Sequence, residues 1–172
     1  MSDQSVVDSR RATVLAALAA VIVLAAGFAV FAAVRASALR DDNLALADQA
    51  ATAEVTDQIG AGVKAIFSYD YSNLARTERA AAGVLVDAAV GQYRDGFAAA
   101  GKQATEQKLV RSTTIRAIGV RELHEDTARL LVFLDQQTLR TTENQQTSSA
   151  AHLDVTARKV DGAWKIANLA AL

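Results

Sequence analysis

"LDVTARKVDGAWKIANL", Leu153 to Leu169, is the stretch that decides the fold. Leu153, Val155 and Ala157 alternate with Asp154, Thr156 and Arg158, the two-residue period of a strand with one buried face. Asp161-Gly162 then supplies the residue pair of a tight hairpin turn, and Trp164 and Ile166 resume the alternation on the return strand. By the same alternation His152 points to solvent if Val155 and Ala157 point inward. Upstream, "LVRSTTIRAIGVREL" (Leu109 to Leu123) and "TARLLVFLDQQTLRTT" (Thr127 to Thr142) are rich in β-branched residues and alternate as strands do. His124-Glu125-Asp126 between them reads as a turn, and Gly119 with a phase change between Ile115 and Ile118 predicts a bulge. The apolar run Leu130 to Leu134 marks the central member of an antiparallel sheet of about four strands.

Further upstream the texture becomes helical. Val55, Ile59, Val63, Ile66 and Phe67 share one helical face, although Gly60 and Gly62 weaken that helix locally. A second helical block is expected over residues 75–99, with Val84, Leu85, Ala88, Tyr93 and Phe97 as core contacts and with Gly91 and Gly96 as its breaks. Helices first and a meander of strands last make residues 55–172 an α+β domain whose helices cover one face of a curved sheet. Such a sheet leaves a cone-shaped pocket.

Ahead of this domain, Ala12 to Val34 run without a charge, a strongly polar residue or a proline. At about 1.5 Å per residue they span roughly 34 Å of helix, enough for a hydrocarbon core of about 30 Å. The reading is an uncleaved transmembrane anchor after a tail of residues 1–11, and a helical stalk over 35–54 follows. The rival is a signal peptide with Arg10 and Arg11 in its n-region and Ala36-Ser37-Ala38 at its cleavage site, and the apolar stretch is too long for that. Basic residues nearly tie across the span and lean weakly toward a cytoplasmic N-terminus. Ala25, Ala29 and Ala33 form a smooth stripe where a second membrane helix could pack, a spacing common by chance in an alanine-rich segment.

The 51% hydrophobic and 5% aromatic composition favours alanine-rich helices, and a net charge of -1 gives no basic face for nucleic acid. Absence of cysteine removes disulfides, thiolate metal sites and thiol nucleophiles. No phosphate-cradling glycine loop follows Gly60 and Gly62, "RDDN" at Arg40 to Asn43 lacks the ligand spacing of a calcium loop, and no cofactor or metal is expected. With two histidines, His124 in a turn and His152 facing outward, triad chemistry is not expected. Asp70, Asp87 and Asp135 are the carboxylates able to sit near a pocket. In "AIFSYDYSNL", Tyr69-Asp70-Tyr71 follows an apolar helical face and precedes Ser72 and Asn73, which reads as a structural corner between two helices with ligand contact as the alternative.

These features resemble the Mce-associated membrane proteins, small subunits that accompany mammalian-cell-entry lipid transporters. The resemblance rests on the N-terminal span, "FSYDYSNL" (Phe67 to Leu74), "VGQYRDGF" (Val90 to Phe97), "ARLLVFLDQQT" (Ala128 to Thr138) and "VTARKVDGAWKIANL" (Val155 to Leu169). The closing hairpin with Trp164 also looks like other members of the nuclear-transport-factor-2-like superfamily, including scaffold subunits of type IV secretion systems. The resemblance implies a single-pass protein of the bacterial inner membrane with an extracytoplasmic cone-shaped domain. It implies a non-enzymatic accessory role in a fatty acid or sterol import complex, with that complex's protein subunits as partners and with lipid contact. The alternatives are a secretion scaffold, or a lipid-binding or isomerase-like cone in which Asp70, Tyr69 and Tyr93 are the residues to examine.

Overall fold

The computed structural model describes residues 21, 22, 24–35, 43–45 and 47–172, and the chain divides into two compact units, Met1–Asp42 and Asn43–Leu172. In the first unit residues 24–35 are helical, and Leu24, Phe28, Val30, Phe31 and Val34 are all exposed apolar side chains. Ala25, Ala29 and Ala33 are exposed on the same helix. Among the described residues no helix is long and apolar enough to cross a membrane. The expected tail 1–11, residues 12–20 and 23 of the expected span, and residues 36–42 and 46 of the expected stalk lie outside the described residues.

The second unit runs α1 (Gln49–Phe67), β1 (Tyr69–Asp70), a 3-10 turn (Tyr71–Asn73), α2 (Leu74–Val84), α3 (Ala88–Gln107), β2 (Leu109–Leu123), β3 (Thr127–Arg140), β4 (Gln145–Val160) and β5 (Ala163–Ala171). The strands form a curled antiparallel sheet in the order β1-β2-β3-β4-β5, five strands where about four were expected. The additional one is β1: Tyr69 pairs with Arg111 and Asp70 with Val110, so the tyrosine segment is a sheet edge as well as a link between helices.

The core lies between α1 and the inner face of the sheet. Val55, Ile59, Val63 and Ile66 of α1 meet Leu130 and Val132 of β3, Val155 and Ala157 of β4 and Ile166 of β5, all at most 1% exposed. The inward phase of β2 shifts twice, at Arg116 and at Arg121, where the pairing with β3 skips a residue. Leu109 and Thr113 therefore point inward before the first bulge and Leu123 after the second, and Ile118 and Val120 pack against the core between them. The two bulges add the local bend that lets a long strand curl around a helix. Gly60 and Gly62 leave α1 intact because the sheet comes close there. A Cβ at Gly60 would stand 3.1 Å from Ile118 Cδ1, and one at Gly62 would stand 3.4 Å from Ile166 Cδ1.

Two helical expectations change. Residues 43–45, 47 and 48 form a turn, so the stalk is not one continuous helix. Asn43 Oδ1 accepts from Leu123 N at 3.0 Å, Leu44 N donates to Leu123 O at 2.8 Å, and Asp48 caps α1 by accepting from Ala51 N at 2.9 Å. The second block is two helices, broken at residues 85–87 and not at Gly91 or Gly96, which both lie within α3 with nothing near their Cβ positions. The break arises because Leu85 is buried and bridges to Ile166, while Val86 N donates to Ile166 O at 2.9 Å. Asp87 turns the chain at φ 53°, and Arg158 donates to both of its carboxylate oxygens at 2.9 Å. As a result Ala89 is fully buried, whereas Ala88, the expected core residue, is exposed.

At the hairpin, Asp161 (φ 52°) and Gly162 (φ 78°) are both left-handed, the backbone of the expected tight turn. β5 pairs only with residues 153–160, so residues 145–150 are an exposed length of β4 paired on its β3 side.

Candidate functional site

Where α1 ends, its last carbonyls need hydrogen-bond donors from outside the helix, because no further turn supplies N–H groups. Thr113, completely buried on β2, provides one: its hydroxyl donates to Phe67 O at 2.8 Å, and its backbone N–H donates to Ser68 Oγ at 3.1 Å. The buried Thr77 hydroxyl of α2 donates to Ser68 O at 3.0 Å. Asp70 closes the same corner by accepting from both Ser72 N (2.8 Å) and Ser72 Oγ (2.7 Å). Those two bonds, the backbone one foremost, hold its carboxyl below the ordinary aspartate value against a small opposing effect of burial.

Beyond the corner, the curl of the sheet and α3 enclose a cavity of about 350 Å³. Its walls are apolar and aromatic: Phe67 from α1, Tyr69 from β1, Tyr93 and Phe97 from α3, and Leu153 and Leu169 from the sheet. Tyr93 and Phe97 stack at 5.0 Å between ring centroids, and Tyr69 meets Phe97 edge-on at 6.4 Å. Arg111 and Gln92 are the polar residues that reach it beside the two tyrosines. Gln92 is fully engaged, donating to Asn168 Oδ1 at 2.7 Å and accepting from Leu169 N at 2.9 Å. Arg111 lies over the Tyr69 ring at 5.1 Å and donates from Nε to Thr138 Oγ1 at 3.0 Å.

Tyr93 Oη is buried and has no hydrogen-bond partner. Burial first, and the nearby Glu78 charge second, push this phenol well above its ordinary value, so it stays protonated and remains a donor.

The structure brings Tyr69 and Tyr93 to the cone and leaves the other expected site residues outside it. Asp70 lines an outer cleft of about 720 Å³ together with Ser72, Arg76, Tyr69 and Arg111, the last two of which also line the cone, so Asp70 and Tyr93 do not share a cavity. No carboxylate or histidine is among the residues lining the cone. Tyr71 sits under Lys108 at 5.3 Å, outside the cone. Trp164 is packed in the core, its backbone N–H donating to Gln58 Oε1 at 2.7 Å and its indole N–H buried without a partner. Asp87 is held by Arg158, Asp135 faces Arg116 at 3.8 Å, His124 is exposed, and His152 is exposed against the Phe133 ring at 4.9 Å. Among the described residues no group of three or more His, Asp or Glu could hold a metal ion.

Arg111 and Thr113 were not singled out from sequence. The signal was present, since Leu109, Arg111, Thr113 and Ile115 share one strand face, and a cation in phase with buried residues is unusual enough to mark.

No family model matches the chain, and no curated protein matches it in sequence. Solved structures do match. The periplasmic domain of DotI is similar at 15% identity and a TM-score of 0.60, over 69% of this chain and 92% of that one. An IcmL-like type IV secretion system protein from Legionella pneumophila is similar at 7% identity and a TM-score of 0.57, over 70% and 91%. A nuclear transport factor 2-like superfamily protein from Salmonella enterica is similar at 13% identity and a TM-score of 0.50, over 71% and 92%. The fold is nuclear-transport-factor-2-like. The same architecture therefore carries both the secretion-system domains and the nuclear transport factor 2-like protein, and these similarities do not show a Mce-associated family.

Proposed function

We propose that this protein is a membrane-anchored, non-enzymatic accessory subunit of a cell-envelope complex, with the α+β domain outside the cytoplasm and protein subunits as its partners. The observation that carries the reading is the fold, shared with a domain solved as periplasmic at a TM-score of 0.60. The apolar segment supports the anchor: Leu24, Phe28 and Phe31 of a helix are 73, 72 and 63% exposed, a surface that water disfavours and a bilayer accepts. Of the two kinds of complex, the structural likeness favours a scaffold of the type IV secretion kind, and the quoted sequence motifs alone favour a Mce-type lipid importer.

The absence of cysteine makes the test clean, because a single introduced thiol is unique. Ser148→Cys on the exposed length of β4 and Ala75→Cys on α2 are to be crosslinked in membranes, and the adducts identified by mass spectrometry. Subunits of one envelope complex should recur at one probe and be absent at the other. Release of the chain by salt without detergent, or adducts that are the same random mixture at both probes, would overturn the proposal.

A further inference from the structure

The cone holds a cation without an anion. Arg111 spends one N–H on Thr138, stacks over Tyr69, and forms no ion pair, and its remaining N–H groups have no protein acceptor among the described residues. A half-buried guanidinium beside an apolar cavity is ordinarily matched by a carboxylate, because leaving a desolvated charge unpaired is costly. Elsewhere in this domain that matching is done: Arg158 has Asp87, Arg129 and Arg121 share Asp154, and Arg140 has Glu143. Arg76 and Arg79 on α2 also lack an ion pair but are exposed to water, so among the described residues of this domain Arg111, on the cone wall, is the unpaired arginine that is partly buried.

The cavity beside it is also of ligand size. At about 350 Å³ it falls at the lower end of the range for small-molecule sites, room for roughly ten to fifteen non-hydrogen atoms. Its aromatic and aliphatic walls suit an alkyl or ring body, and the planar fork of the guanidinium suits a carboxylate. We infer that the cone binds an apolar monocarboxylate, its carboxylate on Arg111 and its hydrocarbon body against Phe67, Tyr93, Phe97, Leu153 and Leu169. Binding requires no bond to be made or broken, and it is independent of which envelope complex the domain serves.

The test uses the full chain in lipid nanodiscs and measures radiolabelled octanoate in excess of that taken up by empty nanodiscs. Octan-1-ol, with the same body and no charge, is the control. Saturable octanoate binding is expected, with octan-1-ol at least tenfold weaker. Arg111→Gln should weaken octanoate at least tenfold and leave octan-1-ol unchanged. Gly96→Leu adds a side chain on the cone wall at a position with no atom within 4 Å of the new Cβ, so it should fold normally and abolish binding of both. If Arg111→Gln fails to fold, Gly96→Leu decides alone. Octanoate and octan-1-ol binding alike, an unaffected Gly96→Leu protein, or no saturable octanoate binding would each overturn the inference.

Discussion

Two neighbouring regions of the domain treat buried polar groups in opposite ways. At the corner, Thr113, Ser68 and Thr77 sit among apolar side chains, and each hydroxyl has a protein partner within 3.1 Å. On the cone wall, Tyr93 Oη has none and Arg111 has no anion. An unmade hydrogen bond in a buried setting costs about 1–3 kcal/mol, so a fold that satisfies one region and leaves the next one open has a reason to do so. The difference teaches where stability resides and where binding resides.

The largest effect lies beneath both regions. Leu130→Ala removes a completely buried side chain of β3 from the α1 contact and should cost about 2–5 kcal/mol in chemical denaturation; a smaller loss would mean that the core is looser than described. Thr113→Val comes next. It keeps the shape and the backbone N–H bond to Ser68 Oγ but leaves Phe67 O without its hydroxyl donor, so about 1–3 kcal/mol should be lost. Tyr93→Phe deletes a buried hydroxyl that makes no bond and should raise stability, by up to about 1–3 kcal/mol. If Tyr93→Phe and Thr113→Val cost the same, the contrast between the regions disappears.

The smallest effect concerns acid. Asp70 has a folded value below its unfolded one, so its contribution is present above the unfolded value of about 3.8 and is lost as pH falls through the lower folded value. Because the side chain is exposed, that contribution is slight. Asp70→Asn should narrow the stability difference between pH 6 and pH 2, and an unchanged acid limb would show that the Ser72 bonds do not matter to folding.

Much of this domain could be read from sequence because period-two alternation survives wherever a strand has one buried face. Thr127–Arg140 and the Asp161-Gly162 hairpin are legible for that reason, and so is the bulge at Arg116, through the phase change between Ile115 and Ile118, whereas Gly119 itself pairs in register with Leu131. Tyr69–Asp70 was not legible as a strand. Two residues are too few to show a period, and their pairing with Arg111 and Val110 is a long-range contact. The break at residues 85–87 was hidden likewise, since its cause is the bridge from Leu85 to Ile166 on β5, whereas the glycines that drew attention, Gly91 and Gly96, lie within α3 with nothing within 4 Å of their Cβ positions. The cone was foreseeable as a consequence of curvature, and two of its tyrosines were named. Its arginine went unnoticed because a charge in a strand reads as solvent-facing until the burial of its neighbours Leu109 and Thr113 is known.

The most direct test joins the two regions in one experiment. Trp164 is the only tryptophan and is 6% exposed, so its fluorescence reports thermal unfolding of the domain in the full chain. A ligand that binds the native state raises the melting temperature. Octanoate should raise it in the wild type and, from a lower starting point, in Thr113→Val, and should leave Arg111→Gln unmoved. An equal rise in Arg111→Gln, or no rise in the wild type, would contradict the assignment of the cone to binding.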